Sequence, residues 1–242
     1  RAVGANPVAA AESDLTADVD NLLSCVTDRT RMVFLANPNN PTGSYVPVDE
    51  LRRLHAGLPS ETLLVIDAAY AEYVSRNDYI SGAELVETFE NVVMTRTYSK
   101  AFGLAALRLG WAYCPPGIAD ILNRVRNPFN VTAAAQVAGV AAVGDLSHTD
   151  AVVAHNDEWL PWFTDELKGL GLEVPPSVGN FVLARFGTAE RAQSAYDYLM
   201  KRGVITRMMG GYGLPDSLRI TVGLGSELKA VLDGLSEHEK AT

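Results

Sequence analysis

The sequence predicts an α/β fold: a mainly parallel sheet sandwiched by helices, followed by a smaller C-terminal α+β domain. Three observations carry that reading. Short apolar runs alternate with helically spaced segments through the first half. The runs are continuous rather than alternating, as in strands buried on both faces. Beyond "RNPFNVT" (126–132), where Pro and Asn interrupt the pattern, helices and short strands follow in a different order. The expected division is residues 1–128 and 129–242.

Taken in order, "RAVGANPVAAAESDLTADVDNLL" reads as a short strand, an acidic loop and a helix, an opening that looks mid-domain. Thr16 is the expected N-cap, its hydroxyl accepting a free backbone N–H, with Asp18 in the first turn where the helix dipole favours negative charge. A capping box is excluded because Val19 stands where an acid or glutamine is needed. "RMVFLAN" (31–37) is a strand, and "VPVDELRRLHAGL" places Val48, Leu51 and Leu54 at helical spacing. "TLLVIDAAY" (62–70), "NVVMTRTYS" (91–99) and "LRLGWAYC" (107–114) are three further strands, the later ones not necessarily parallel. Helices are then expected at 132–144 and 148–170, the second rich in Trp159, Trp162 and Phe163. They are followed by "GNFVLARF", a helix at 188–202, "GVITRMM", "DSLRITVG" and a terminal helix from about residue 226. There is no internal repeat and no low-complexity stretch.

Composition narrows the function classes. Acidic residues outnumber basic ones 29 to 20, a net charge of -9 that repels a phosphate backbone, so nucleic-acid binding is not expected. The two cysteines, Cys25 and Cys114, have no metal-ligand spacing and form no disulfide framework; a reducing, cytoplasmic setting is the default. The apolar stretch "TAAAQVAGVAAVGDL" is short and broken by glycine, so no membrane span is expected, and no signal peptide is visible.

Four polar residues recur where apolar strands give way to loops: Asn40 in "NPNNPTG", Asp67 in "VIDAAY", Lys100 in "YSKAFG" and Arg108 eight residues later. In an open parallel sheet, ligands bind beyond the carboxyl ends of the strands, so residues far apart in sequence converge there. Each also has an ordinary structural reading. Asp67 could cap a helix, Lys100 could be a solvated lysine, Arg108 could pair with a surface acid, and "NPNNPTG" could be a turn. Their joint order and spacing weigh against four separate coincidences.

"NPNNPTG", "DAAYAEY", "TYSKAFGLAALRLGW" and "YGLPDSLRITVG" resemble, in that order, the motifs of fold-type I pyridoxal-phosphate aminotransferases, and within them the histidinol-phosphate aminotransferases. The resemblance runs along essentially the whole chain, and the Lys100–Gly103–Arg108 spacing is its most specific part. It implies pyridoxal 5'-phosphate as cofactor. Lys100 is then the amine that joins the cofactor's aldehyde carbon and later moves the substrate's Cα proton. Asp67 keeps the pyridine nitrogen protonated. Asn40 and Tyr70 donate to the phenolic oxygen, and the Asn40–Pro41 bond is cis. Arg108 grips the phosphate with its planar fork, helped by the Thr97 and Ser99 hydroxyls. The same resemblance assigns Arg219 to the substrate carboxylate, Arg207 to a phosphate or distal carboxylate, and Asn40 a share in substrate binding. For Arg207 a strand-end surface arginine is the competing reading.

The implied reaction moves an amino group from L-histidinol phosphate to 2-oxoglutarate, giving imidazole-acetol phosphate and L-glutamate, in histidine biosynthesis. Its partners are a small-molecule amino donor and a 2-oxo acid, in a cytoplasmic homodimer. Aromatic-amino-acid aminotransferase, threonine-phosphate decarboxylase and a non-catalytic subunit of the same fold are the alternatives; a nucleotide-binding sheet is disfavoured because no glycine-rich phosphate loop follows a strand. Two departures stand out. Ala68 occupies a position where many relatives carry glutamate, and the family pattern begins ahead of this sequence, so weak cofactor binding is expected of residues 1–242 alone. His55 is expected on a helix, His148 in a loop, and His155 and His238 on solvated helix faces; all four lack metal spacing, and no metal is expected. The Trp159/Trp162 pair is expected in packing, and "GLGLEV" lacks the strand–turn–helix context of a dinucleotide fingerprint.

Overall fold

The computed structural model describes residues 3–241. Contacts gather the chain into two units. The first holds residues up to Asn39 and Ser44–Thr149, and the second holds Asn40–Gly43 and everything from Asp150 onward. The expected boundary at 128/129 thus falls inside the first unit, ahead of a helix that packs there.

In the first unit, β1 (Glu12–Ser13) and β2 (Thr16–Ala17) form a minimal antiparallel hairpin. Its two linking residues, Asp14 and Leu15, both have positive φ (49° and 61°), the backbone that matches the twist of a tight hairpin. This displaces the expected helix cap. Thr16 lies in β2, and Asp18 caps α1 (Val19–Ser24) by accepting the Asn21 N–H at 2.9 Å.

Four strands follow: β3 (Met32–Ala36), β4 (Leu63–Asp67), β5 (Val92–Thr97) and β6 (Gly110–Tyr113). They lie side by side in that order, the first three parallel and β6 antiparallel to β5. The long connections carry α2 (Val48–Ala56) and α3 (Ala83–Thr88), as parallel crossovers require. One face of the sheet presents Val33, Leu35, Leu64, Ile66, Val92 and Met94 to a core shared with Leu51 and Leu54 of α2 and Leu85 and Val86 of α3. The opposite face carries Asp67 and Thr95. Near its β3 edge it leaves Met32 and Phe34 exposed, at 54% and 68%.

Two helices close this unit, α4 (Pro116–Val125) and α5 (Ala133–Gly144), the latter capped by Thr132. Gly139 explains why α5 belongs here. A Cβ at that position would lie 2.4 Å from a Leu109 methyl and 3.8 Å from the Tyr98 ring, so the absence of a side chain lets the helix approach the loop after β5.

The second unit takes most of α6 (Leu146–Gly169), then β7 (Phe181–Arg185), α7 (Ala189–Lys201), β8 (Arg207–Met209), β9 (Leu214–Thr221) and α8 (Gly225–Ala241). Its three strands are antiparallel in the order β7-β9-β8, an α+β arrangement. Phe163 and Leu167 of α6, Val182 and Ala184 of β7, Leu199 of α7 and Leu218 and Ile220 of β9 share one core, with Trp159 and Trp162 packed at its margin. The tryptophans therefore serve packing.

Hydrogen bonds from the Asn21 N–H and the Ser13 hydroxyl hold the Asp18 carboxyl below its ordinary value of 3.8. Those from the Ser147 hydroxyl and the His148 N–H do the same for Asp145, just ahead of α6. Both groups are depressed in the folded chain, so their stabilisation is complete above the unfolded value and is lost as pH falls through the folded ones. An Asp18→Asn/Asp145→Asn double variant, whose amides still accept the capping bonds, should show a flatter dependence of Tm on pH below about 4. At Gly110 a Cβ would stand 2.8 Å from the Arg96 carbonyl oxygen, whereas at Gly117 of α4 it would meet nothing within 4 Å. Gly110→Ala should therefore cost about 1–3 kcal/mol in urea unfolding, and Gly117→Ala should be neutral or stabilising by about 0.5–1 kcal/mol.

Candidate active site

Parallel pairing brings the ends of the strands level. Ala36, Asp67 and Thr95 are register partners across β3, β4 and β5, and backbone bonds continue beyond them, from Asn37 N–H to the Asp67 carbonyl and from Ala68 N–H to the Thr95 carbonyl, each 2.9 Å. Asp67 is exposed at this edge, and the Thr95 hydroxyl donates to its Oδ1 at 3.2 Å. Thr95, which no motif marks, thereby joins the candidate site. Its signal was parity: two residues before Thr97, it falls on the same sheet face as Asp67.

The chain then folds a loop back on itself between β5 and β6. Tyr98 N–H bonds to the Leu109 carbonyl (3.1 Å), Leu104 N–H to the Tyr98 carbonyl (2.8 Å), and Gly103 N–H to the Lys100 carbonyl (2.9 Å). Gly103 makes the turn with φ +71°, a conformation that disfavours any residue with a Cβ. Lys100 is half-buried at the turn, its ammonium 5.0 Å from the centre of the Tyr70 ring, while Tyr70 itself is only 4% exposed.

Arg108 ends the loop in a left-handed conformation, φ +52°, unusual for a residue with a side chain. Its Nη1 donates to the Ala105 carbonyl (2.7 Å) and reaches the Ser99 hydroxyl (3.3 Å). The Thr97 hydroxyl accepts the Ser99 N–H at 3.1 Å. Arg108 is exposed, so the same turn offers a guanidinium, a hydroxyl and an amine within one local structure. Asp67, Tyr70, Thr97, Ser99, Lys100 and Arg108 thus all lie in the first unit, at or just beyond the ends of β4 and β5.

The remaining predicted residues gather in the second unit. Asn40 belongs to it through the short Asn40–Gly43 segment, where the Val178 N–H bonds to the Gly43 carbonyl at 2.9 Å. A Cβ on Gly43 would sit 2.2 Å from the Ser177 hydroxyl, so this contact requires glycine. The Asn40–Pro41 peptide is cis, as is Asn37–Pro38. Arg219, on β9, donates from Nη1 to Asn40 Oδ1 at 2.5 Å and lies over the Phe181 ring, 5.3 Å from its centre. Arg207 is its direct cross-strand partner on β8, exposed where Arg219 is half-buried. Two like charges facing each other on a sheet repel, and an anion laid between them would relieve that cost.

The histidines depart from expectation in detail. His148 lies in the first turn of α6 rather than in a loop, near Gly103, whose missing Cβ would be 3.6 Å from Nε2. His155 is half-buried and bonded to the Gly223 carbonyl at 2.9 Å. His238 is 8% exposed and bonded to the Ser194 hydroxyl at 2.8 Å, so it is buried rather than on a solvated face. Among the described residues no group of His, Cys, Asp and Glu could hold a metal ion, and no helix is long and apolar enough to cross a membrane.

Similarity to known proteins fits this geometry. A model of the family described as aminotransferase class I and II matches residues 1–235. Histidinol-phosphate aminotransferase of Rhodospirillum centenum is 59% identical over 241 residues, 99% of this chain and 67% of that protein. That of Paramagnetospirillum magneticum is 57% identical over 98% of this chain and 66% of its own length. The chain spans about two thirds of the length of these curated relatives. Among solved structures, histidinol-phosphate aminotransferase from Sinorhizobium meliloti, crystallised in complex with pyridoxal-5'-phosphate, superposes with TM-score 0.88 at 31% identity, covering 95% of this chain and 63% of that one. With the site's residues in the family's order and the fold matched along nearly its whole length, the chain belongs to the class I and II aminotransferases.

Proposed function

We propose that the protein acts with pyridoxal 5'-phosphate to transfer the amino group of L-histidinol phosphate to 2-oxoglutarate, yielding imidazole-acetol phosphate and L-glutamate, in histidine biosynthesis. The observation that carries this reading is the turn after β5, which presents an amine on Lys100 and a cation on Arg108 beside the Ser99 hydroxyl. That donor set suits a phosphate-bearing aldehyde, and the exposed Asp67 carboxylate suits its ring nitrogen. When bound, the cofactor supplies an electron sink for the bonds at the substrate's Cα.

The chain's own residues do the rest. Lys100 supplies the amine that reaches the aldehyde carbon and the base that takes the Cα proton. Asp67, oriented by the Thr95 hydroxyl, keeps a proton on the pyridine nitrogen. Arg108, Ser99 and Thr97 hold the phosphate, and Tyr70 serves the phenolic oxygen. Arg219, steadied by Asn40, takes the substrate's anionic end. Arg207 takes the second anionic group, whether phosphate ester or distal carboxylate. The first unit is the cofactor-binding part, and selection of the substrate falls mainly to the second. A cytoplasmic homodimer is the working assembly.

Protein made from the complete reading frame should retain pyridoxal phosphate through gel filtration and, after borohydride treatment, gain its mass on the peptide bearing Lys100, whereas residues 1–242 alone should hold it weakly; Lys100→Ala in the complete protein should do neither. Amino-group transfer from histidinol phosphate well above that from phenylalanine, without carbon dioxide release from threonine phosphate, separates this reading from its neighbours. Arg207→Ala should raise KM for histidinol phosphate about 10- to 100-fold, the size expected for one lost charge-assisted contact. Its KM for phenylalanine should change little, and equal effects on both would remove Arg207 from substrate binding.

A further inference from the structure

Glu72 lies two residues beyond Tyr70, within the 3-10 turn Ala71–Tyr73. Its carboxylate is almost fully buried, with 8% of the side chain accessible, and is paired with Arg96 of β5, itself 18% accessible. Two guanidinium nitrogens, Nη2 and Nε, converge on the same oxygen, Oε1, the Nε contact being 3.2 Å. The other oxygen, Oε2, is buried without a hydrogen-bond partner. Arg96 also lies over the ring of Trp111, its cross-strand neighbour on β6, at 5.8 Å. Burial, and then the charge of Glu72, push the adjacent Tyr73 phenol up to about 12.

Burying an ion pair seldom adds net stability, because desolvation consumes most of the attraction, and an unsatisfied carboxylate oxygen adds to the cost. Stability alone therefore does not account for this pair. Its position does. Arg96 follows Thr95, the hydroxyl donor to Asp67, and precedes Lys100 by four residues. The segment Ala68–Glu72 is thus fastened to β5 at both ends, by the Ala68 N–H to the Thr95 carbonyl at one and by Glu72 to Arg96 at the other. Tyr70 is held between the two fastenings, with its ring beneath the Lys100 amine.

We propose that Glu72 is a positioning residue which, through Arg96, fixes the Tyr70 ring against Lys100. This rests on the functional reading above, and alignment of the reacting groups is where it would act. Small misplacement remote from the chemistry is enough to weaken such a site about a hundredfold.

The test is Glu72→Gln, which keeps shape and removes charge, read in two ways. In cofactor-free protein, amide hydrogen exchange over residues 70–74 should accelerate. In the loaded enzyme, affinity for pyridoxal phosphate should fall at least about tenfold, within the range that misplacement can produce. The reversed pair, Glu72→Arg/Arg96→Glu, should recover both. The apolar pair, Glu72→Met/Arg96→Met, should recover Tm without recovering affinity. If Glu72→Gln lowers Tm but leaves exchange and affinity at wild-type values, or if the apolar pair restores affinity, the pair only balances charge and the proposal is overturned. Should Glu72→Gln not fold, Arg96→Lys, which keeps the charge and loses the two-nitrogen grip, reads the same quantities. A wild-type protein that failed to take up pyridoxal phosphate would refute the functional reading, and hydrogen exchange would still decide whether Glu72 tethers the turn.

Discussion

Asp67 and Thr95 face each other across β4 and β5 because the two strands are parallel and in register, and that pairing sets the level at which both chains leave the sheet for the loops that carry Tyr70 and Lys100. The Ala68 N–H to Thr95 carbonyl bond carries the ladder one step past the end of β4, so the chain leaves the sheet in a defined direction before turning through Tyr70. On β5 the same ladder determines which side chains share Asp67's face and which do not. Thr95 and Thr97 fall on one side and Arg96 on the other. Slipping the register by one residue would turn Arg96 toward the carboxylate and Thr95 away from it. The polar chemistry at the strand ends is thus a consequence of backbone pairing set by the apolar residues upstream: Leu64 and Ile66 on β4, Val92 and Met94 on β5.

In the second unit the organising contact is between Arg219 and Asn40. It joins β9 to a segment far from it in sequence, and glycine at position 43 allows that segment to lie against Ser177. Antiparallel pairing then places Arg207 opposite Arg219. Neither arginine faces an acid across the strands, an arrangement that disfavours the empty sheet and favours an anion.

Much of this was legible in the sequence, because apolar runs mark strand interiors and polar residues interrupt them at the ends. The order of strands and helices, the strand-end positions of Asp67 and Lys100, and the glycine at 103 all follow from that pattern and from the demands of tight turns. What escaped depends on long-range pairing. Thr95 and the Glu72–Arg96 pair are visible only once β4, β5 and the intervening turn are set side by side. Thr16 reads as a cap because the Asp14–Leu15 turn carries no glycine to announce a hairpin, whereas that hairpin puts Thr16 in a strand and leaves the cap to Asp18. His238 sits in the polar sequence "SEHEKA", yet it is buried against Ser194, since a helix packed on one side hides residues that composition alone would leave in water.

Arg108 sits in a backbone conformation that costs an ordinary residue roughly 1–2 kcal/mol and a glycine almost nothing. Under the proposed function, folding and ligand capture therefore pull this position in opposite directions. A laboratory selection for heat resistance alone would weigh that backbone relief against the bond from Arg108 to the Ala105 carbonyl, and a glycine here would surrender the anion grip proposed for the arginine.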